Sequence, residues 1–135
     1  MKPALIDTDI LSLFFRGDPH VVVHFDDYIA EHAKITISIV TYYEIVSGLK
    51  HRDAQKQLAS FLEFAAQSNV VLLSERSVMQ SAEVYADLRS KGEPIDDIDL
   101  LIAGLALVHG WALVTHNTRH FDRIEGLQAE DWSQS

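Results

Sequence analysis

Short apolar runs alternate along the chain with longer segments in which apolar residues recur at helical spacing. Runs typical of buried strands lie at residues 4–6, 35–39, 70–73 and 111–115, with a short edge strand expected at 127–129. Helical spacing predicts helices at residues 10–15, 21–33, 41–50, 53–67, 77–91 and 97–109. Strands that alternate with helices favour a mostly parallel sheet of four to five strands covered by helices on both faces. The pattern therefore predicts an α/β fold in three layers, an α/β/α sandwich.

Helix-stopping residues separate these segments, but nothing divides the chain into larger parts. Gly92 and Pro94, for example, follow the predicted helix at 77–91. There is no repeat, low-complexity segment or linker, so residues 1–135 are expected to form a single domain. The last residues, 131–135, are expected to trail off without order.

Composition restricts the chemistry that the chain can support. Apolar residues make up 47% of the chain and charged residues 23%, as in ordinary globular proteins. There is no cysteine, which excludes disulfides and thiolate-bound zinc and leaves oxygen or imidazole ligands for any metal. No signal peptide is recognisable, and the longest apolar run, residues 100–108, is far shorter than the roughly 20 residues that cross a bilayer. A soluble, cytoplasmic protein without a membrane partner is expected.

The formal net charge of −9 weighs against non-specific adhesion to nucleic acid. It does not exclude a nuclease, because acids gathered at a metal site contribute to that charge. Basic residues form two patches, one containing Lys50, His51, Arg52 and Lys56 and the other His116, Arg119, His120 and Arg123. A solvated helix face or loop explains each patch equally well. Because each patch follows a candidate ligand, Lys50, Arg52 and Arg119 are candidates for holding a phosphate backbone.

Acidic or amide side chains stand at the ends of several apolar segments. Asp7 follows the first strand, Glu44 lies near a helix start, Asp99 lies in the first turn of the apolar helix 97–109, and Asn117 follows the fourth strand. Ligands bind outside the carboxyl ends of the strands in open parallel sheets, so these residues are expected to converge. Crowded carboxylates repel one another unless a hard cation lies among them. The sequence therefore predicts a divalent-metal site, a kind of site that usually acts on phosphate esters.

Each acid also has a purely structural explanation. Asp7 could cap a helix, but Asp9 is the better cap for residues 10–15, which leaves Asp7 for chemistry. The spacing from Thr41 to Glu44 matches a capping box, and taken alone that explanation is the stronger one for Glu44. It loses ground because this segment follows a strand expected to lie beside the Asp7 strand.

The acidic segment before the sixth helix and the loop after the fourth strand are also ambiguous. Either Asp96 or Asp97 is expected to cap the helix, which leaves Asp99 as a ligand and Asp96 as an accessory. Thr115 and Asn117 could simply form a turn, although an asparagine carbonyl can bind a hard cation through water. His116 and His120 are weaker candidates for contacts to phosphate or RNA.

Four stretches, taken in order, resemble the PIN-domain ribonucleases, in particular the VapC-type toxins of bacterial toxin–antitoxin pairs. They are LIDTDILS at 5–12, SIVTYYEIVSGL at 38–49, PIDDIDLLIAGLA at 94–106, and residues 112–132 around LVTHNTRHFDRIEGL. Each stretch alone is a weak signal, but four in this order and spacing are specific and cover nearly the whole chain.

The resemblance implies a PIN-like fold, a site and an activity. The family's acidic positions fall on Asp7, Glu44 and Asp99, often with Asp96, while its fourth acidic position falls on Asn117, with Thr115 lining the pocket. The implied activity is Mg²⁺- or Mn²⁺-dependent endoribonuclease cleavage of single-stranded RNA. The implied partners are a second copy of the chain in a homodimer and a cognate antitoxin, with DNA contacted only through the antitoxin.

Two other functions remain open from the sequence. Asp7-Thr8-Asp9-Ile10 is similar to the first motif of haloacid-dehalogenase-type phosphatases, in which Asp7 would be the nucleophile and Asp9 its acid–base partner. The downstream lysine and cap insertion of such enzymes are hard to place. The neutral Asn117 raises the third possibility, a catalytically silent PIN-like binding domain.

Overall fold

A computed structural model describes residues 1–134, in which helices and strands alternate for most of the length of the chain. The strands are β1 (Ala4–Ile6), β2 (Thr36–Ser38), β3 (Asn69–Val71), β4 (Ala112–Val114) and β5 (Ala129–Glu130). The helices are α1 (Thr8–Phe15), α2 (Pro19–His32), α3 (Ile39–His51), α4 (Gln55–Ala66), α5 (Glu75–Ser90), α6 (Asp97–His109) and α7 (Thr118–Phe121).

All strand pairs of the sheet are parallel, as the alternation of strands and helices predicts. The hydrogen-bonded order is β1-β4-β5 in one group and β2-β3 in the other, and β1 also lies beside β2. Ile6 pairs with Val114 and Ser38 with Val71, so the carboxyl ends of paired strands are level. Polar residues that follow β1 and β4 are therefore brought to one edge.

The two faces of the sheet bury separate hydrophobic clusters. Ala4 and Ile6 of β1 point into a cluster with residues of α1, α2 and α4, whereas Leu5 between them points into a cluster built on α5 and α6. This alternation follows from the two-residue period of a strand. The α/β/α arrangement predicted from the sequence is confirmed. In the described part of the chain, no helix combines the length and hydropathy that crossing a membrane requires.

Several predicted boundaries differ from the structure because of local capping. Helix α1 begins at Thr8 rather than residue 10, since Asp7 occupies the N-cap position. Helix α3 begins at Ile39, where the Ser38 side chain accepts a hydrogen bond from the Thr41 amide at 2.9 Å. The short helix α7 was not predicted, because a single turn leaves no periodic pattern in the sequence.

The expectation that the chain trails off after residue 130 is wrong for the residues described. Trp132 is only 4% exposed and packs against Phe25 and Tyr28 of α2, while its ring stacks on that of His24. The residues around Trp132 are polar, so composition alone does not indicate that Trp132 belongs to the core. Ser135, the last residue of the predicted tail, lies outside the described residues.

Helices α5 and α6 cross at a very close distance, and Gly104 makes this possible. A Cβ atom on Gly104 would lie 2.0 Å from Ser81 Oγ and 2.6 Å from the carbonyl oxygen of Ser77. Ser81 Oγ lies 2.8 Å from the Leu100 carbonyl oxygen and 3.0 Å from that of Ser77. The crossing thus holds the first turn of α6, which carries Asp99, against α5.

Gly104→Ala is expected to destabilise the protein by roughly 1–3 kcal/mol, because the new methyl group overpacks a contact formed partly by backbone. The measurement is the free energy of unfolding in urea. The control is Gly48→Ala in α3, where a Cβ would meet only Arg52 Nη1, at an ordinary 3.8 Å. That variant should gain about 0.5–1 kcal/mol from helix propensity. Equal effects of the two substitutions would contradict the close crossing.

Candidate active site

Asp7 is fixed in place by both β4 and α1. Its amide donates to the Val114 carbonyl oxygen at 2.8 Å, which extends the pairing of β1 with β4. One carboxylate oxygen, Oδ1, accepts from the Thr8 amide at 2.8 Å, and the other, Oδ2, accepts from the Thr115 hydroxyl at 2.9 Å. With only 6% of its surface exposed, Asp7 has little freedom to turn away from this edge of the sheet.

The environment of Asp7 opposes its ionisation. Burial is the largest cause, followed by the negative charge of Asp9, and together with Asp99 they raise the pKa of Asp7 to about 7. The hydrogen bonds from Thr115 and Thr8 favour the charged form and offset only part of this effect. Without a cation, this carboxyl therefore holds a proton at a higher pH than an ordinary aspartate does.

Asp9 does not play the capping role that the sequence suggested, because α1 begins one residue before it. Its Oδ1 accepts from the Ile10 amide at 2.7 Å, and its Oδ2 accepts from the His116 amide at 3.1 Å. Burial, more than any other cause, raises the pKa of Asp9. Asp9 thus joins α1 to the loop after β4 and adds negative charge beside Asp7.

Glu44 is not part of a capping box, so its structural explanation is wrong. Helix α3 is capped by Ser38, and Thr41 lies within the first turn with its hydroxyl buried. The Thr8 hydroxyl donates to Glu44 Oε1 at 2.6 Å and lies 3.1 Å from Thr41 Oγ1. The Thr8 hydroxyl therefore connects Glu44 and Thr41 of α3 to the start of α1, one residue after Asp7.

Asp99 lies half-buried in the first turn of α6. Burial raises its pKa, and the negative charges of Asp96, Glu44 and Asp9 raise it further, while His120 acts in the opposite direction. The prediction that Asp96 or Asp97 caps the helix is right about the position of the cap but wrong about the capping hydrogen bond. Asp96 occupies the N-cap position, but its side chain makes no capping hydrogen bond.

The loop after β4 contains Thr115, His116 and Asn117, and only Thr115 touches Asp7. Asn117 donates its amide hydrogen to Thr115 Oγ1 at 3.1 Å, and its side-chain Nδ2 lies 2.8 Å from His120 Nδ1. Asn117 is therefore linked to Asp7 through Thr115. The sequence did not identify three further residues that bond the residues of this site. They are Thr8 and Thr41, which bond each other next to Glu44, and Asp131, which bonds His116.

The predicted basic contacts, Lys50, Arg52 and Arg119, lie on the surface. Lys50 and Arg52 are exposed at the end of α3, with Lys50 six residues beyond Glu44, or about 9 Å along the helix axis. Arg119 is exposed in α7. Within residues 1–134, no lysine or arginine forms an ion pair with Asp7, Asp9, Glu44 or Asp99. The negative charges of these acids thus act on one another, and no lysine or arginine of the described residues is paired with them.

The donor set suits a hard divalent cation, because it consists of carboxylate oxygens whose ionisation the site opposes. As the side chains stand, however, no three acidic or histidine residues of the described chain are arranged to coordinate one ion. The hydrogen bond from Thr8 occupies one oxygen of Glu44. The chemistry of the residues therefore fits a cation, whereas coordination requires their side chains to adjust.

The chain as a whole is similar to known proteins of one family. Residues 4–127 match the family model described as the PIN domain. The chain is 31% identical over 134 residues to the tRNA(fMet)-specific endonuclease VapC of Shigella flexneri, with 98% of this chain and 100% of the relative covered.

Two crystal structures of toxin–antitoxin proteins also match the chain. One is DNA-bound VapBC from Salmonella typhimurium, with a TM-score of 0.87, 28% identity, and coverage of 98% of this chain and 99% of that one. The other is VapBC2 from Rickettsia felis bound to a DNA fragment from their promoter, with a TM-score of 0.84, 27% identity, and coverage of 96% and 98%. These matches confirm the resemblance drawn from the sequence.

Replacing Asp7 with asparagine should stabilise the protein at high pH. The folded-state pKa of Asp7 lies above its ordinary value of 3.8, so its penalty is absent at low pH and grows as pH rises from about 4 to about 7. At about 1.4 kcal/mol per pH unit, Asp7→Asn should gain about 2–4 kcal/mol at pH 8 in EDTA, and about 1 kcal/mol or less at pH 4.5.

The measurement is urea unfolding of the wild type and Asp7→Asn at both pH values, with EDTA present. Asparagine retains an oxygen that can accept from the Thr8 amide, so the helix cap is kept. A variant that is less stable than the wild type at pH 8 would contradict the unfavourable burial of this carboxylate.

Proposed function

Because the chain belongs to the PIN-domain family, we propose that it is a metal-dependent endoribonuclease of the VapC type, acting as one nuclease domain. Its substrate is single-stranded RNA, in which it hydrolyses phosphodiester bonds. The observation that carries this proposal is that Asp99 lies near enough to both Asp7 and Glu44 for the negative charges to act on one another, while no lysine or arginine within residues 1–134 forms an ion pair with any of the three. Such a set is stable in its ionised form only with a cation.

The proposed ligands of this cation, Mg²⁺ or Mn²⁺, are Asp7, Glu44 and Asp99, with Asp96 as an accessory. When bound, a divalent cation of this kind lowers the pKa of a coordinated water and polarises the scissile phosphate. Asp7 is the rigid member of the set, since both of its oxygens accept hydrogen bonds. Glu44 is the adjustable member, because the hydrogen bond from the Thr8 hydroxyl is made to one of its oxygens, Oε1.

Other residues of the chain would orient the ligands and the RNA. Thr115 holds Oδ2 of Asp7, and Asn117 in turn donates to Thr115, so both act on the ligand geometry through Asp7. Because Asn117 is neutral, the site carries less negative charge than one with a carboxylate there. Lys50, Arg52 and Arg119 are proposed to attract the phosphate backbone, against a net charge of −9 for the whole chain.

We also propose that the chain is the toxin of a toxin–antitoxin pair. The matched VapBC structures are complexes that carry DNA. Large apolar side chains are exposed on the adjacent helices α1, α3 and α4, with Phe15 44%, Tyr43 65% and Leu62 40% exposed. Exposed apolar surface of this kind supports a protein partner. We propose that the chain forms a homodimer in the cytoplasm and binds a cognate antitoxin. Contact with DNA would occur only through the antitoxin.

The phosphatase alternative has no support in the structure. Asp9 would have to serve as an acid–base catalyst, but its carboxylate is held by the amides of Ile10 and His116. The matches to PIN-domain proteins point in the same direction. Asp9→Asn, which can keep an acceptor for one amide, should therefore reduce RNA cleavage far less than Asp7→Asn does.

The direct test of the proposed function is cleavage of single-stranded RNA by the purified chain, free of antitoxin, with Mg²⁺ or with EDTA. Cleavage should require the cation and should fall at least about 100-fold in Asp7→Asn, Glu44→Gln and Asp99→Asn. The matched control is Asp87→Asn, which removes a surface carboxylate paired with Lys91. This variant should cleave like the wild type.

Two results would overturn the proposed function. Equal cleavage in Mg²⁺ and EDTA would remove the cation from the reaction. Absence of cleavage in every RNA tested, together with a folded wild-type protein that takes up no Mg²⁺ or Mn²⁺ in calorimetry, would support the silent binding domain instead.

Cation binding can be tested separately from catalysis through stability. A cation that binds only the folded protein stabilises it, by about 2.7 kcal/mol at 100 times its dissociation constant. Saturating Mn²⁺ should therefore raise the unfolding temperature of the wild type and of Asp87→Asn, but much less that of Asp99→Asn. An equal rise in all three proteins would place the bound cation elsewhere.

A further inference from the structure

His116 is the first exposed residue after β4, and its backbone belongs to the acidic site. Its amide donates to Asp9 Oδ2 at 3.1 Å. The side chain is 57% exposed, and it follows Thr115, whose hydroxyl donates to the Asp7 carboxylate. His116 therefore stands where the rim of the acidic site meets solvent.

The imidazole of His116 is held by the segment that follows β5. Its Nδ1 lies 3.0 Å from Asp131 Oδ2 and 3.0 Å from Ser133 Oγ. Asp131 in turn accepts from the Ser133 amide at 2.9 Å and from the Ser133 hydroxyl at 2.6 Å. Since the ionised Asp131 carboxylate can only accept, Nδ1 must carry the hydrogen. The lone pair of the neutral ring is then on Nε2.

Asp131 is itself anchored, so the orientation of the ring is built into the fold. Its side chain is only 13% exposed. On one side, the Thr115 amide donates to the Glu130 carbonyl oxygen at 2.8 Å, which ties β5 to β4. On the other side, Trp132 is buried against α2. A carboxylate fixed on both sides selects the ring tautomer as well as the ring orientation.

From these contacts we propose that His116 reads the sugar of the RNA, with Nε2 accepting a hydrogen bond from a ribose 2′-hydroxyl next to the cleavage site. The inference rests on the proposed function and adds a residue that distinguishes RNA from DNA. A 2′-hydroxyl can donate to a lone pair, and DNA lacks this group. A phosphate oxygen fits the position less well, because it is also an acceptor and the carboxylates of Asp9 and Asp131 repel it.

The experiment measures the cost of removing one 2′-hydroxyl, with and without His116. The cleavage site of the wild type in a short single-stranded RNA is mapped first, in Mg²⁺ at pH 8. Substrates with a single 2′-deoxynucleotide at each flanking position are then compared through kcat/KM. In the wild type, a 2′-deoxynucleotide at one position should lower kcat/KM by about 3–10-fold, which corresponds to the loss of a neutral hydrogen bond.

The same series with His116→Ala should show that this penalty has fallen to less than about 2-fold, while kcat/KM for the all-ribose RNA falls by about the same 3–10-fold. His116→Gln can place an oxygen near the position of Nε2 and should recover part of the penalty. Asp131→Ala keeps the imidazole but loses its orientation, so it should also reduce the penalty. Thermal unfolding and Mn²⁺ affinity should stay close to those of the wild type in His116→Ala.

His109→Ala is the matched histidine control. His109 is exposed at the end of α6, ten residues and about 15 Å along the axis from Asp99, where it stacks on Trp111. The His109→Ala substitution should leave both RNA cleavage and the loss of kcat/KM caused by the 2′-deoxynucleotide unchanged. A wild-type penalty that persists in full in His116→Ala overturns this inference alone. A wild type that cleaves no RNA in Mg²⁺ overturns the proposed function and the inference with it.

Discussion

The parallel pairing of β1 with β4 is the constraint on which the site depends. It extends one residue beyond the strands, through the bond from the Asp7 amide to the Val114 carbonyl oxygen. In this register the Thr115 hydroxyl reaches the Asp7 carboxylate, and α1 must begin at Thr8. A shift of the register by one residue would turn Asp7 and its neighbours toward opposite faces of the sheet. The fold therefore buries a carboxylate at the edge of the sheet and prevents it from moving into water.

This burial is unfavourable for the folded protein, and the surroundings of Asp7 increase the cost. Asp9 and Asp99 carry the same charge, and hydrogen bonds from two threonines compensate only in part, so that the pKa of Asp7 rises to about 7. The close crossing of α5 and α6 at Gly104 holds Asp99 in the same region. Perturbed acids of this kind are concentrated at functional sites, where a ligand restores the balance of charge. A divalent cation bound among these acids would relieve the repulsion that acts on each of them.

The sequence was sufficient to predict the fold, because the fold depends on strong local patterns, and the same patterns indicated which acids would lie near the edge of the sheet. Asp7 follows a short apolar strand and Asp99 lies at the start of a long apolar helix, so their positions relative to the sheet can be inferred from strand and helix periods. Glu44 was harder, since its spacing from Thr41 also matches a capping box, and only the position of Ser38 decides against it. Asp131 could not be found at all. Its role depends on the pairing of β5 with β4 and on a buried Trp132 in a polar segment, which are tertiary facts without a local signature.

Anomalous diffraction from crystals grown with Mn²⁺ would test the central claim most directly. The account predicts a peak at the carboxyl end of β1, bonded to oxygens of Asp7 and Asp99, with Glu44 turned from Thr8 toward the ion. A fully occupied Mn²⁺ site elsewhere in the molecule, with no peak between these three carboxylates and with Glu44 still bonded to Thr8, would contradict it.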